Sequence, residues 1–237
     1  MSERREKYIH EFKAPQLFSV EHERREHLLT SPELGKVAVI SGFVGVGKDT
    51  IANSLLSSDG DIARIVTFTT REPRLLNGEV DGVSYHFVDP SNFQLLSYSD
   101  VLVEQTHIFG NFYGVPISEF KKREDSIGVV ACLTPDGANT LNRIGVPNER
   151  FVVVPGSWEE LVARIIKRDR VSSDTMLQRL SIEMQEHFRD LMASITKLVD
   201  SDEIYLKEGG IHYVKSATGM EGIQKATQLI KYIAFSS

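Results

Sequence analysis

The 237-residue chain is almost without cysteine: Cys132 is its only one. An intramolecular disulfide is therefore excluded, and a reducing cytoplasm is the expected home. No apolar run approaches the ~18 residues that a membrane-spanning helix requires, so no membrane partner is expected. An excess of positive charge is also missing. Lys and Arg number 27 against 33 Asp and Glu, a net charge of −6. Nucleic acid is thus not expected as a partner, and any polyanion must be met by a local basic pocket. The first thirty residues lack an apolar core and mix both charge signs, which predicts no secretory leader. Internal repeats and low-complexity tracts are absent. What remains, 41% apolar and 25% charged residues, is the composition of a globular protein. The length suits one α/β core with a small inserted or appended subdomain.

Residues 1–35 carry seven acidic and six basic residues and read as a partly ordered extension outside the core. Within it, EHERREHLL at 21–29 can form a short helix through opposite charges three or four apart. From residue 36 the pattern becomes α/β. KVAVISGF (36–43) and RIVTFTT (64–70) read as strands, with DTIANSLLSS (49–58) a helix between them. SNFQLLSY (91–98) predicts a helix with Ser91 and Gln94 as a reciprocal cap, and VLVEQTHIFGNFYGV (101–115) predicts extended chain around a turn at Gly110–Asn111. GVVACLT (128–134) and RFVVVP (150–155) read as buried strands, each leading into a helix. The second of those helices, SWEELVARIIKR, carries Ser157 and Glu160 as a capping box. One long helix is expected from about 173 to 193, with Met176, Leu177, Leu180, Met184, Phe188 and Leu191 along one side. A short strand-like EIYL and an amphipathic helix, GMEGIQKATQLIKYIAF, complete the chain. Strands alternating with helices imply a mostly parallel sheet covered on both faces.

Residues 41–50 read SGFVGVGKDT, in which Gly42, Gly47 and Lys48 fit G-x-x-x-x-G-K between a predicted strand and a predicted helix. Glycines let backbone N–H groups turn toward phosphate oxygens, the helix presents its positive end, and the lysine adds a mobile charge. The expected phosphate-binding set is Gly42, Gly45, Val46, Gly47, Lys48, Asp49 and Thr50. Asp49 is irregular, because the usual residue there is a hydroxyl that binds Mg²⁺. A bare carboxylate would repel phosphate, but with a divalent cation between them it becomes the hard oxygen ligand that Mg²⁺ prefers. The alternative is that Asp49 stabilises the helix N-terminus by about 0.3–1 kcal/mol.

Further along lies TFTTREPRLLNGEVDGVSYHF (67–87), where Arg71 and Arg74 are spaced to grip one anion by paired hydrogen bonds. Glu104 and GNFYG (110–114) then supply an acceptor and a phenol. In TTREPR, GEVDGVSYHF and GNFYG, taken in order, the chain resembles the guanylate kinases from about Lys36 to Met192. The resemblance implies a three-layer P-loop kinase fold with a mostly parallel sheet, a small inserted β-rich NMP-binding subdomain and a helical lid. The expected division is a core of 36–66, 117–160 and 190–235, an NMP-binding subdomain at 67–116 and a lid at 161–189. The resemblance further implies ATP and Mg²⁺ on the phosphate loop. Arg71, Arg74 and Tyr85 would hold the GMP phosphate with Tyr113 helping, while Thr67 and Glu104 would face guanine. In LVARIIKRDRVSSDTMLQRL, Arg164, Arg168 and Arg179 would join Lys48 around the transferring phosphoryl group; Arg170 reads as solvated.

Four departures from the family pattern stand out. LLNG lengthens the loop between Arg74 and Glu79 by two residues; Cys132 and Thr134 occupy strand-end positions that usually carry carboxylates; Val115 replaces a small hydroxyl residue; and the adenine-side Asn is not recognisable in YLKEGG. We read the metal-facing carboxylate as lost from the strand end at 132–134 and gained at Asp49 in the loop, with Asp136 as a rival, and Cys132 as a small buried apolar residue. The leading expectation is phosphoryl transfer from ATP to GMP or dGMP, another nucleoside monophosphate remaining open. The competing readings are a ribose 1,5-bisphosphate-type phosphokinase and a guanylate-kinase-like binding module without catalysis.

Overall fold

A computed structural model describes residues 27–58, 60–99, 101–169, 172–186, 188–216 and 219–235. The expected arm at 1–26, including most of the 21–29 helix, lies outside the described residues.

Strand β1 (Lys36–Gly42) shows why the core forms where it does. Ala38 and Ile40 enter one apolar cluster, Val37 and Val39 the other, so the strand is buried on both faces. It runs parallel between β7 (Gly128–Cys132) and β8 (Glu149–Pro155). Among the described residues six strands make this sheet, in the order β2 (Ile62–Arg64), β7, β1, β8, β10 (Ile211–Ser216), β9 (Tyr205–Glu208). All pairs are parallel except β9 with β10. Helices α1 (Lys48–Ser58) and α7 (Gly219–Phe235) cover the Ala38–Ile40 face, while α3 (Pro135–Arg143) packs with Val37 and Val39. Strands on either side of β1 are reached by different crossovers, and such a switch point opens a crevice at the carboxyl ends of the strands. No helix among the described residues is long and apolar enough to cross a membrane.

A second sheet rises beside this crevice in the order β4 (His86–Phe87), β3 (Phe68–Thr69), β6 (Asn111–Pro116), β5 (Leu102–Ile108). The β5–β6 hairpin turns at Phe109 and Gly110, both at positive φ, as the Gly110–Asn111 signal predicts. RIVTFTT, expected as one strand, is instead divided between β2 and β3, because the chain leaves the core sheet there. The Val66 N–H at this crossing is held by the Glu119 carboxylate at 2.6 Å.

Three other expectations change. Helix α2 (Pro90–Tyr98) is capped by Asp89, which accepts from Asn92 N at 2.9 Å, and not by Ser91. The single helix expected at 173–193 breaks into α5 (Ser173–Glu186), a 3₁₀ turn at Arg189–Leu191 and α6 (Met192–Val199). That break turns Phe188 into the core, where it stacks on Phe43 with ring centroids 4.1 Å apart. Strand β10 was not anticipated, since His212, Lys215 and Ser216 hide its apolar character. Tertiary partners satisfy two of them: His212 sits between Tyr205 and Glu149, and Lys215 donates to Val199 O and Ser201 O.

The chain before residue 36 is not all outside the core. Residues 27–30 form one helical turn whose Leu28 and Leu29 are buried. Arg123, itself 2% exposed, clasps this segment. Its guanidinium donates to the carbonyls of Leu28, Leu29, Ser31, Leu34 and Gly35 at 2.7–3.3 Å. Buried carbonyls need such donors.

Candidate active site

At the carboxyl ends of β1 and β7, between the two sheets and beneath α4 (Trp158–Asp169) and α5, lies a cavity of about 340 Å³. Gly42, Gly45, Lys48 and Asp49 of the phosphate loop line it. Gly45 has φ +76°, and a Cβ there would stand 2.3 Å from Ile165 Cγ1, so only glycine fits beneath α4. Lys48 Nζ donates to the loop's own carbonyls, Gly42 O at 2.6 Å and Phe43 O at 2.9 Å. Val46, Gly47 and Thr50 do not line the cavity: Val46 is fully buried in the core and Thr50 is exposed on α1.

Asp49 is bound by Arg64, a residue the sequence reading did not single out. Arg64 NH2 donates to Asp49 Oδ1 at 2.5 Å and NH1 to Asn53 Oδ1 at 3.0 Å. Among the described residues no cluster of His, Cys, Asp or Glu forms a self-sufficient metal site. Mg²⁺ does not need one, since it takes one or two carboxylates, waters and substrate phosphates. Arg64 occupies only Oδ1, and the Asp49 side chain remains 54% exposed, so its donor set fits such an ion.

Across the cavity, Arg71 and Arg74 do converge on one carboxylate, but it belongs to the protein. Arg71 makes a two-pronged pair with Glu79 at 2.9 and 3.0 Å, and the Arg74 backbone N–H donates to the same group at 2.7 Å. Neither guanidinium points into bulk solvent: the side chains are 14% and 31% exposed, and both line the cavity with Lys48. Arg71 also lies over the rings of Tyr85 and Phe87, 5.3 and 5.8 Å from their centroids. Tyr85 and Tyr113 meet edge to face at 6.2 Å, and burial pushes the Tyr85 phenol well above its usual range.

Thr67 and Glu104 are buried in the cavity wall. Glu104 Oε2 accepts from Thr106 Oγ1 at 3.0 Å, and Thr106 Oγ1 lies 3.4 Å from Thr134 Oγ1. Gly137 makes room for this carboxylate, since a Cβ there would stand 2.7 Å from Glu104 Oε1. Burial pushes Glu104 up to about 7, the Thr106 hydroxyl opposing and Asp136 adding to the rise. At the end of β7, Thr134 caps α3 by accepting from Gly137 N at 3.1 Å. Cys132, expected as core filling, does pack against the main apolar cluster and also borders the cavity, and burial pushes its thiol up to about 12.

Of the three arginines expected in the lid, Arg168 and Arg179 line the cavity and Arg164 does not. Arg164 Nε and NH2 are buried without a hydrogen-bond partner among the described residues. Two acids beside them escaped the sequence reading. Asp169 looks like part of a solvated KRDR run, so nothing local marks it. Glu183 was legible: it lies on the same side of α5 as the buried Met176 and Leu180, and an acid on an apolar stripe signals a partner. That partner is the phosphate loop, whose Val44 N–H meets both Glu183 oxygens at 3.0 and 3.1 Å.

The family model for guanylate kinase matches residues 34–206. The chain is 35% identical over 153 residues to a guanylate kinase of Clostridium perfringens, covering 64% of this chain and 70% of that one. It is 30% identical over 202 residues to the guanylate kinase of Halalkalibacterium halodurans, covering 84% and 95%. The crystal structure of guanylate kinase from Anaplasma phagocytophilum superimposes with a TM-score of 0.53 at 22% identity, over 87% of this chain and 86% of that chain, which establishes likeness of fold. The matched span takes in the phosphate loop, the arginine-bearing loop, the second sheet and helices α4 and α5, and the chain belongs to the guanylate kinase family.

Proposed function

We propose that the protein transfers the γ-phosphoryl group of ATP to GMP or dGMP. The observation that carries this reading is a single cavity in which Lys48, Arg71, Arg74, Glu104, Arg168 and Arg179 face one another. ATP phosphates bind along the loop from Gly42 to Thr50, and Lys48 exchanges its loop carbonyls for the terminal phosphates. Arg71 and Arg74 exchange Glu79 for the acceptor phosphate, with Tyr85 and Tyr113 beside it. Thr67 and the ionised Glu104 face the base, the carboxylate accepting from its N–H groups.

Arg168 and Arg179, which line the cavity, spread charge from the equatorial oxygens of the transferring group. Arg164 stands outside the lining, its buried Nε and NH2 without hydrogen-bond partners among the described residues, and reaches that group only by a rotation of its side chain. No strong general base is required, because the acceptor phosphate is already anionic near neutral pH. Positioning and exclusion of water do the rest. Mg²⁺ would be held by Asp49 with phosphate oxygens, and when bound it neutralises charge between the β- and γ-phosphates. A cytoplasmic setting belongs to the same reading and suits a chain whose only thiol is unpaired.

Family membership does not favour the sugar-phosphate kinase or the non-catalytic module. The deciding experiment is a coupled ADP-release assay over a panel of nucleoside monophosphates and ribose 1,5-bisphosphate, with and without Mg²⁺. GMP or dGMP is expected to give the highest kcat/KM, and only with the metal. Preference for the bisphosphate, or absence of ATP binding by calorimetry with Mg²⁺ present, overturns the proposal. Asp49→Ser is expected to raise the Mg²⁺ concentration for half-maximal turnover about 10-fold, as loss of one charged oxygen ligand should. An unchanged Mg²⁺ titration would leave Asp49 only its role at the helix N-terminus.

A further inference from the structure

Asp169 ends α4 with a side chain 7% exposed, and it lines the cavity. Arg168 embraces it through Nε–Oδ1 at 2.7 Å and NH2–Oδ2 at 2.9 Å. Arg179 NH1 reaches Oδ2 at 3.5 Å from α5, and Arg74 Nε reaches Oδ1 at 3.5 Å from the loop after β3. Three guanidinium groups from three separate elements thus share one carboxylate. Their like charges oppose such convergence: burial, with Arg71 and Arg168 adding to it, holds the Arg74 guanidinium below its usual range, and Asp169 and Glu79 oppose that shift. An enclosed anion offsets that repulsion far more than an exposed one would.

We propose that Asp169 is a positioning residue that sets the acceptor-side arginine, Arg74, at a fixed distance from the lid arginines Arg168 and Arg179. The proposal rests on the phosphoryl-transfer reading above. Arg74 belongs to the acceptor cradle and Arg168 and Arg179 to the transferring group, so their mutual spacing decides whether acceptor and donor oxygens meet in line. In this proposal Asp169 acts through the three arginines that hold it and not on the reacting atoms. A mere surface ion pair would not bridge the second sheet to both lid helices, and it would not be 7% exposed.

Asp169→Asn preserves size and removes the charge. It is expected to lower kcat about 10-fold or more, as small misplacements of catalytic groups do, and to leave the KM for ATP within about 2-fold. Asp169→Glu restores the charge and is expected to recover most of the lost kcat. In the native protein, Arg74→Lys and Arg179→Lys should be non-additive; in the Asp169→Asn background their effects should multiply independently. A readout that needs no turnover is amide hydrogen exchange of residues 71–79 and 172–180, expected to quicken together in Asp169→Asn and to be restored in Asp169→Glu. Unchanged exchange in both segments overturns the proposal. So does faster exchange with kcat kept within about 2-fold, which would make Asp169 a structural pair only. If the unmodified enzyme turns over no monophosphate, the phosphoryl-transfer reading falls, and the exchange experiment still decides whether Asp169 joins the two arms.

Discussion

Glu104→Gln is expected to lower kcat/KM for GMP by about 100-fold or more at about pH 8, because one of the two accepting carboxylate oxygens becomes an NH2 donor facing a base N–H and the charge that strengthens the other bond is lost. The same substitution is expected to raise the melting temperature. Glu104 has an ordinary value of 4.5 and is pushed up to about 7 by burial. At acidity below the ordinary value, the group is neutral folded and unfolded, and nothing differs. Between the two values the unfolded chain releases the proton first, so stability declines as pH rises, and above about 7 the full penalty stands. Glutamine escapes that penalty. The Tm advantage of Glu104→Gln should therefore be small at about pH 4.5, grow toward pH 7 and then level off. Catalysis runs the opposite way: kcat/KM for GMP should climb through about pH 7 in the native enzyme as the accepting carboxylate forms, and the variant should lack that limb. Thermal melts and pH–rate profiles of the two proteins check both arms. A native profile without a limb near neutrality, or one that survives in the variant, would remove Glu104 from base recognition.

Arg123→Met should be the most damaging single change to stability, about 3–5 kcal/mol, since it leaves a set of buried carbonyls without donors. For a chain of this length that is a fall in Tm of roughly 10 °C. The five bonds to residues 28–35 are the reason. Arg123→Lys should recover only part of the loss, because a point-like ammonium has fewer donors and no planar fork. Urea unfolding measures the difference directly. A loss below about 1 kcal/mol would mean that the segment before β1 is held by Leu28 and Leu29 alone.

Much of the phosphate loop was legible because its chemistry is local. Glycines at fixed spacing, a lysine, a strand before and a helix after are all written in ten residues. The hairpin bearing Tyr113 was legible for the same reason. Charges that find partners across the fold were not. Glu79 marks only the end of a lengthened loop, Arg64 is one of many basic residues and Asp169 part of a charged run, yet they meet Arg71, Asp49 and Arg74 respectively. Strand β10 was obscured likewise, because the groups that satisfy His212 and Lys215 come from Glu149, Tyr205, Val199 and Ser201. The break after α5 has no proline or glycine to announce it; its counterpart is a tertiary contact, Phe188 stacking on Phe43. The expected boundary at residue 36 failed through Leu28 and Leu29, two leucines at the end of a charged stretch.

The order of the central sheet bears on how this protein is made. Strand β1 is synthesised first among its sheet partners, yet it occupies an interior place whose flanks begin at Gly128 and Glu149, with Ile211–Ser216 beyond. On the ribosome, VAVI at 37–40 must therefore wait with bare edges while the whole second sheet is translated. Such distant pairing slows folding and lengthens exposure to aggregation. A nascent polypeptide halted before residue 128 would possess its nucleotide loop but no scaffold on which to mount it.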